Sequence, residues 1–543
     1  MLFNSYQFIL GFLPLTVVAF YFFGRFSRAA ALRWLILASL VFYAWWRPIN
    51  VAIILPSIII NYVLARRLLR LGQDEANARA AKITLIAGVI FNICFLGYFK
   101  YTNFFVGASN DAFGTEFTLT HIILPLGISF ITFQKIAFLI DVHGGRVKQF
   151  TFHDYALFVL FFPQLIAGPI VHYREMMPQF QSTPCRFNGR DLSIGITLFA
   201  FGLFKKAFLA DGIAPSVTSL YERVAHGDTI SMIPAVMAAV GFTLQIYFDF
   251  SGYSDMAIGI GRMFGIKLPA NFDSPLRAPS IIDYWLRWHI TLSRFLTAYI
   301  YNPLLLRMSR RRMAKGLPPL NVRTATVGAF VTLLAFPTLV TMAISGIWHG
   351  AGYTFIFWGV LHGIFLSVNH GWRLLRQKYK LFQVKSSVFT RFVSIAVTFT
   401  AVCVAMVFFK APTMAVAWHI LGSLAGLHGI GLPASLFDHL GPIADLLART
   451  GGGPEDWWSA QDMAWLMMWM LGLFVLAMFF PNTGQMLKTY EPALGLRPAP
   501  TTGGRLAQLA WNPSLGWAVA MAVIAFAAIL RIGGPSEFLY WQF

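Results

Sequence analysis

Apolar runs of roughly 17–22 residues recur along the whole of this 543-residue chain, and about 20 such residues carry an α-helix across about 30 Å of hydrocarbon. A backbone in lipid has no water to bond, so it must satisfy its own polar groups as a helix or a closed barrel. Runs of this length point to helices. Composition agrees: 57% of residues are hydrophobic and 12% charged, where soluble domains carry roughly 25% charged residues. The longest polar stretch, Ala411–Asp462, is too short for a separate soluble domain of ordinary size. The expected fold class is all-α, a polytopic helical membrane protein with about 10–14 transmembrane or re-entrant helices. It forms one integral-membrane domain over 1–543.

Charge placement gives a topology. The net charge is +20, but the cations fall in short loops between apolar runs, where the positive-inside rule accounts for them. A nucleic-acid partner, which needs a basic folded surface, is therefore not expected. The first run, Tyr6–Phe23, lacks the basic leader and cleavage site of a signal peptide and reads as a retained span. Arg25, Arg28 and Arg33 then mark a cytoplasmic loop. Runs near Trp34–Trp46 and Val51–Leu64 form a hairpin, and Ile83–Phe99 leads to an outer loop with Asp111 and Glu116 and no cation beyond Lys100. His121–Ile140 returns inside to Arg146 and Lys148. Later runs lie near Ala325–Ser345, Tyr353–Trp372, Phe392–Phe409, Met463–Phe480 and Leu515–Leu530. Basic segments Arg307–Arg323 and Arg373–Arg391 are expected inside, as are Lys488, Arg497 and Arg505. The acidic segment 411–462 is expected outside, and both termini fall on the outer, periplasmic side of a bacterial inner membrane. Cys94, Cys185 and Cys403 are widely spaced and read as core residues, without a disulfide or metal framework.

The middle third is less regular. Phe161-Phe162-Pro163-Gln164-Leu165-Ile166-Ala167-Gly168-Pro169 breaks a helix, so a re-entrant segment is expected there. Runs near Leu192–Leu209 and Ile233–Phe248 are plausible spans. Asp249, Ser251, Tyr253 and Asp255 follow in an apolar setting, and buried charges need partners.

Two histidines stand out. His289 lies in Asp283-Tyr284-Trp285-Leu286-Arg287-Trp288-His289, and His349 in Gly346-Ile347-Trp348-His349-Gly350-Ala351-Gly352. Ionisable groups at membrane depth mark functional sites by default. If residues 284–306 form one helix ending at the basic loop, both rings reach the outer half or middle of the membrane. A break at Asn302-Pro303 would move His289 deeper. Gly346, Gly350 and Gly352 are expected to bring backbone close and leave room for a substrate. His362 is a third candidate; Trp288, Trp348 and Asp283 are supporting ones. The remaining histidines, His121 among them, read as loop, interface or span-end residues. Metal-ligand spacing is absent.

Taken in order, these motifs resemble the membrane-bound O-acyltransferase (MBOAT) family, and within it the bacterial alginate O-acetyltransferase branch. Phe162-Pro163-Gln164, Ala167-Gly168-Pro169, Asp249–Asp255, Leu268-Pro269-Ala270-Asn271-Phe272 and the aromatic Phe538–Phe543 carry the same likeness, which runs nearly end to end. Thr297–Pro303 departs from the more charged stretch usual in the family. The resemblance implies a helical bundle around a central tunnel, with N-terminal spans over 1–150, a catalytic core over 151–372 and C-terminal spans over 373–543. It also implies His349 as the catalytic histidine with His289 as its partner, and no bound cofactor. Acetyl-CoA or an acylated carrier would supply the acyl group from the cytoplasm. The acyl group, an acetyl by this likeness, would leave for an exported polysaccharide such as alginate or cellulose. A periplasmic accessory acetyltransferase or polysaccharide export proteins would be partners, alongside membrane lipids. Neutral imidazole suits removal of a hydroxyl proton near neutral pH, and Asp283 or Asp255 is a candidate to fix its tautomer. The basic loops are candidates for the phosphates of coenzyme A. The rival reading is a transporter or flippase subunit for a polysaccharide or lipid-linked glycan.

Overall fold

The computed structural model describes residues 1–118, 122–182, 184–380, 387–449, 451–496 and 509–533; the expectations at His121, Arg497, Arg505 and Phe538–Phe543 fall outside them. The architecture is helical, with one two-stranded parallel pair, Gly431–Pro433 against Gly453–Glu455, among the described residues. The chain runs through α1 (Gln7–Phe26), α2 (Arg28–Ala44), α3 (Ile49–Leu71), α4 (Ala78–Phe113), α5 (Ile128–His143) and α6 (Phe152–Leu160). It continues through α7 (Gly189–Ala225), α8 (Met232–Met263), the short α9 (Ile281–Trp285) and α10 (residues 290–313). Then come α11 (Val327–His349), α12 (Tyr353–Tyr379), α13 (Val388–Lys410), α14 (Met414–Leu424), α15 (Ala460–Phe479) and α16 (Leu515–Ile529). Eight helices among the described residues are long and apolar enough to cross a bilayer. The protein is thus a multi-pass membrane protein.

The broken segment lies where the proline pattern puts it. Helix α6 stops at Phe161, a four-residue turn Phe162–Leu165 follows, and residues 155–173 are buried throughout. Elsewhere proline is absorbed differently. At Pro14, Pro303 and Pro337 the helix widens into a π-turn just upstream, at Gln7–Phe12, Thr297–Tyr301 and Val331–Ala335. The extra residue per turn relieves the clash and the missing donor of a ring in mid-helix. Asn302-Pro303 is therefore no break; the chain turns earlier, at residues 286–289.

Helices α7 and α8 form the spine, and both outrun the expected spans. A Cβ on Gly202 would sit 2.5 Å from the Gly252 carbonyl, and one on Gly195 2.7 Å from that of Gly259. Backbones this close admit no side chain between them. The polar stretch after Phe248 does not end α8, because its carboxylates are paired across this interface. A π-turn at Phe204–Ala210 presents Lys205 and Lys206. Lys205 Nζ lies 2.6 Å from Asp255 Oδ2 and donates to Thr483 Oγ1 at 2.7 Å. Lys206 lies between Asp211, at 2.7 Å, and Asp249.

Two apolar clusters make up the interior. One gathers α1–α6, the C-terminal half of α8 and part of α10; the other gathers the N-terminal half of α8 with α9, α13 and α15. Phe250 of α8 belongs to the second cluster and Tyr253 to the first. The histidines lie on this seam.

Candidate active site

His289, itself buried, closes the largely irregular passage between α8 and α10. It adopts φ 43°, ψ 52°, a left-handed conformation that costs a non-glycine residue about 1–2 kcal/mol. Such strain persists only where surrounding contacts enforce it. Here they do. Asn271 takes over the capping of α10: its backbone oxygen accepts from Ile290 N–H at 2.9 Å, and its Oδ1 from Thr291 N–H at 3.3 Å and Thr291 Oγ1–H at 2.8 Å. The His289 Nδ1 lies 3.1 Å from the same Oδ1. Around the ring stand Phe250, edge-on at 4.7 Å, Phe130 at 6.5 Å and Trp348 at 6.3 Å.

His349 ends α11. The carbonyls left open at that helix end are taken up by α4: Lys100 Nζ donates to the oxygens of Trp348 and His349, and Tyr101 O–H to that of Ile347 at 2.6 Å. The buried Lys100 cation thus meets the negative end of the helix dipole. The sequence pattern places Lys100 at a loop margin; the 36-residue α4 carries it inside. Hairpin α11–α12 closes tightly as well. A Cβ on Gly346 would lie 2.2 Å from the Phe355 carbonyl, and one on Gly350 2.2 Å from the Phe355 ring. These two glycines serve helix contact rather than substrate space. Gly352 is only loosely contacted.

The histidine rings meet with centroids 6.4 Å apart and planes at 59°. His349 is walled by Trp358 at 5.0 Å and Phe409 at 5.3 Å. His289 Nε2 and both ring nitrogens of His349 are buried without a hydrogen-bond partner among the described residues. His362 stands one ring further on, 4.9 Å from Trp358, with Trp285 Nε1–H donating to its Nδ1 at 3.3 Å. Trp348 joins the site and stacks on Phe133 at 5.0 Å, which stacks on Phe295 at 4.3 Å.

The other sequence candidates are engaged elsewhere. Trp288 stacks on Tyr284 and meets Phe272 edge-on. Asp249 and Asp255 hold Lys206 and Lys205. Tyr253 stacks on Phe3 at 4.8 Å, and Ser251 is buried. Asp283 accepts from Arg287 Nε at 2.8 Å. Neither Asp283 nor Asp255 reaches an imidazole; the partner of His289 is Asn271, a residue of the Leu268–Phe272 motif to which the pattern assigned no task. Its signal was a polar side chain in a non-helical, apolar stretch. Lys100 had a plainer one, a lone cation at the end of an apolar run. No group of three or more His, Cys, Asp or Glu among the described residues is placed to hold a metal ion.

Residues 145–318, which include His289 and Asn271, match the membrane-bound O-acyltransferase family. The peptidoglycan O-acetyltransferase of Helicobacter pylori is 39% identical over 461 residues, covering 80% of this chain and 81% of that protein. The probable alginate O-acetylase AlgI of Pseudomonas aeruginosa is 36% identical over 427 residues, 77% of this chain and 74% of that one. The teichoic acid D-alanyltransferase of Bacillus subtilis is 26% identical over 280 residues, 51% of this chain and 66% of its own. These relatives differ in acyl group and polymer, yet by name all are acyl- or aminoacyltransferases. Two imidazoles with open nitrogens on an apolar seam suit that shared chemistry, and the chain belongs to the membrane-bound O-acyltransferase family as an O-acyltransferase.

Proposed function

We propose that this protein passes an acetyl group from a cytoplasmic thioester, acetyl-CoA or an acylated carrier, through the bacterial inner membrane. The receiver is a hydroxyl of an exported polysaccharide, reached directly or through a periplasmic acetyltransferase. Both termini lie on the periplasmic side. The observation that carries this reading is the meeting of His289 and His349, with ring centroids 6.4 Å apart and three of their ring nitrogens without a partner among the described residues.

The reaction needs a proton acceptor for the alcohol and a donor for the oxygen that gains charge. The alcohol oxygen bonds the acyl carbon, the carbon–sulfur bond breaks, and the hydroxyl proton passes through an imidazole to the leaving thiolate. His349 and His289 divide these tasks. Support for an acetyl group and a glycan acceptor comes from the named activities of the H. pylori and P. aeruginosa relatives.

The test is sidedness. Full-length protein is reconstituted in proteoliposomes with acetyl-CoA on the face bearing the loop around residues 307–323 and peptidoglycan or alginate fragments on the other. Acetyl ester is expected to form across the membrane, with release of free coenzyme A. Ester formed only when donor and acceptor share a compartment would overturn the relay.

A further inference from the structure

We infer that Asn271 is the positioning residue that locks His289 in the tautomer with a protonated Nδ1 and a bare Nε2, which leaves Nε2 as the acceptor this ring offers beside His349. That this tautomer serves acyl transfer rests on the proposed function; the tautomer itself stands on geometry alone.

The argument starts from a group whose role is not negotiable. The Thr291 backbone N–H can only donate, so the Asn271 side-chain atom facing it at 3.3 Å must be the oxygen. The Thr291 hydroxyl agrees: it already accepts from Ile170 N–H at 3.0 Å, and its own hydrogen turns to the same oxygen at 2.8 Å. The amide nitrogen then faces Ser254 Oγ, at 3.2 Å. Flipping the amide would oppose two donors to a third. Asn271 cannot drift either. Its neighbours are pinned by Leu494, which accepts from Ala270 N–H and donates to Leu268 O, both at 2.9 Å.

An oxygen so fixed only accepts. The 3.1 Å contact with His289 Nδ1 is therefore a hydrogen bond only when Nδ1 carries the proton. In neutral imidazole the lone pair then sits on Nε2, the buried atom with no partner among the described residues. In the neutral ring that atom accepts a hydrogen bond and cannot donate one. His349 has neither nitrogen held among the described residues, so its tautomer is left to whatever enters the seam.

The tautomer is read from ¹⁵N-histidine solid-state NMR of the full-length protein in proteoliposomes, with H289F supplying the difference spectrum. A protonated Nδ1 and a bare Nε2 are expected, collapsing to a tautomer mixture in Asn271→Leu. A protonated Nε2 on wild-type His289 overturns the inference. With acetyl-CoA as donor, N271L is expected to lower turnover about 10–100-fold at unchanged KM. Asn271→Asp, which keeps an acceptor oxygen in place, is expected to recover most of that loss. Equal losses in N271L and N271D, each monodisperse by size exclusion, would show that side-chain shape and not the acceptor matters, which also overturns it. Should Leu not fit, Asn271→Ala gives the same comparison without added bulk. An inert wild type would count against acetyl-CoA as donor and leave the NMR result standing.

Discussion

Two of the polar regions in the apolar interior are finished in opposite ways. Between α7 and α8, Lys205 and Lys206 meet Asp255, Asp249 and Asp211 in contiguous ion pairs. At the seam between the apolar clusters, with ring centroids 6.4 Å apart, His289 Nε2 and both nitrogens of His349 have no hydrogen-bond partner among the described residues. Leaving a buried polar group unpaired costs about 1–3 kcal/mol. A fold that closes one set of charges this thoroughly has the means to close the other. On the proposed function, the open nitrogens are where substrate atoms complete the bonding, whereas the ion pairs hold the spine together.

The sharpest way to break this contrast is to truncate one residue from each region. For His349→Ala, acyl transfer is expected to fall about 10²–10⁴-fold while the protein stays folded and monodisperse, since the ring has no hydrogen bond among the described residues to lose. Only the loss of its contacts with Trp358 and Phe409 lowers the melting temperature. Turnover close to wild type would remove His349 from the chemistry. Lys206→Met is expected to act the other way round. It strands Asp249 and Asp211 in the interior, at a cost of about 3–5 kcal/mol, read as a lowered denaturation midpoint or loss of folded protein in detergent. Lys206→Met with full stability would mean that the carboxylates are neutral, and the pairs would no longer be structural.

The two regions were also unequally legible. Asp249 and Asp255 announced a need for partners by sitting in an apolar run, but the lysines that answer are about 50 residues away, and only the close approach at Gly202 and Gly252 reveals them. His289 and His349 were legible as a pair from their tryptophan-flanked motifs. What periodicity could not give was their support. Asn271 acts from a stretch without secondary structure, and Lys100 from a helix that outlasts its apolar run. The α7 and α8 spans were read short for the same reason: a charge looks like a helix end until its partner is known.

Of the glycines expected both to bring backbone close and to leave room, Gly346 and Gly350 do the first, and Gly346 gives a prediction of intermediate size. Gly346→Ala drives a methyl against the Phe355 carbonyl, and overpacking of this kind costs about 1–3 kcal/mol. Because Gly346 lies one turn before His349, the α11 end is expected to shift and turnover to fall along with the melting temperature. A Gly346→Ala protein with lowered activity and unchanged stability would mean that the glycine faces substrate after all.

The smallest expected effect falls on His362, which stands between the two kinds of region. Its Nδ1 is held by Trp285, as in a finished structural contact, while its Nε2 is unbonded, as in the active pair. The Trp358 indole separates it from His349. If an open nitrogen alone defined the site, His362→Phe would be as damaging as His349→Ala. If access to the seam is also required, the substitution forfeits one hydrogen bond, about 0.5–1.5 kcal/mol, with turnover little changed. The second outcome is expected, because an indole blocks the direct line to the acyl group. A collapse of turnover in a stable H362F protein would extend the site through Trp358 to a third imidazole.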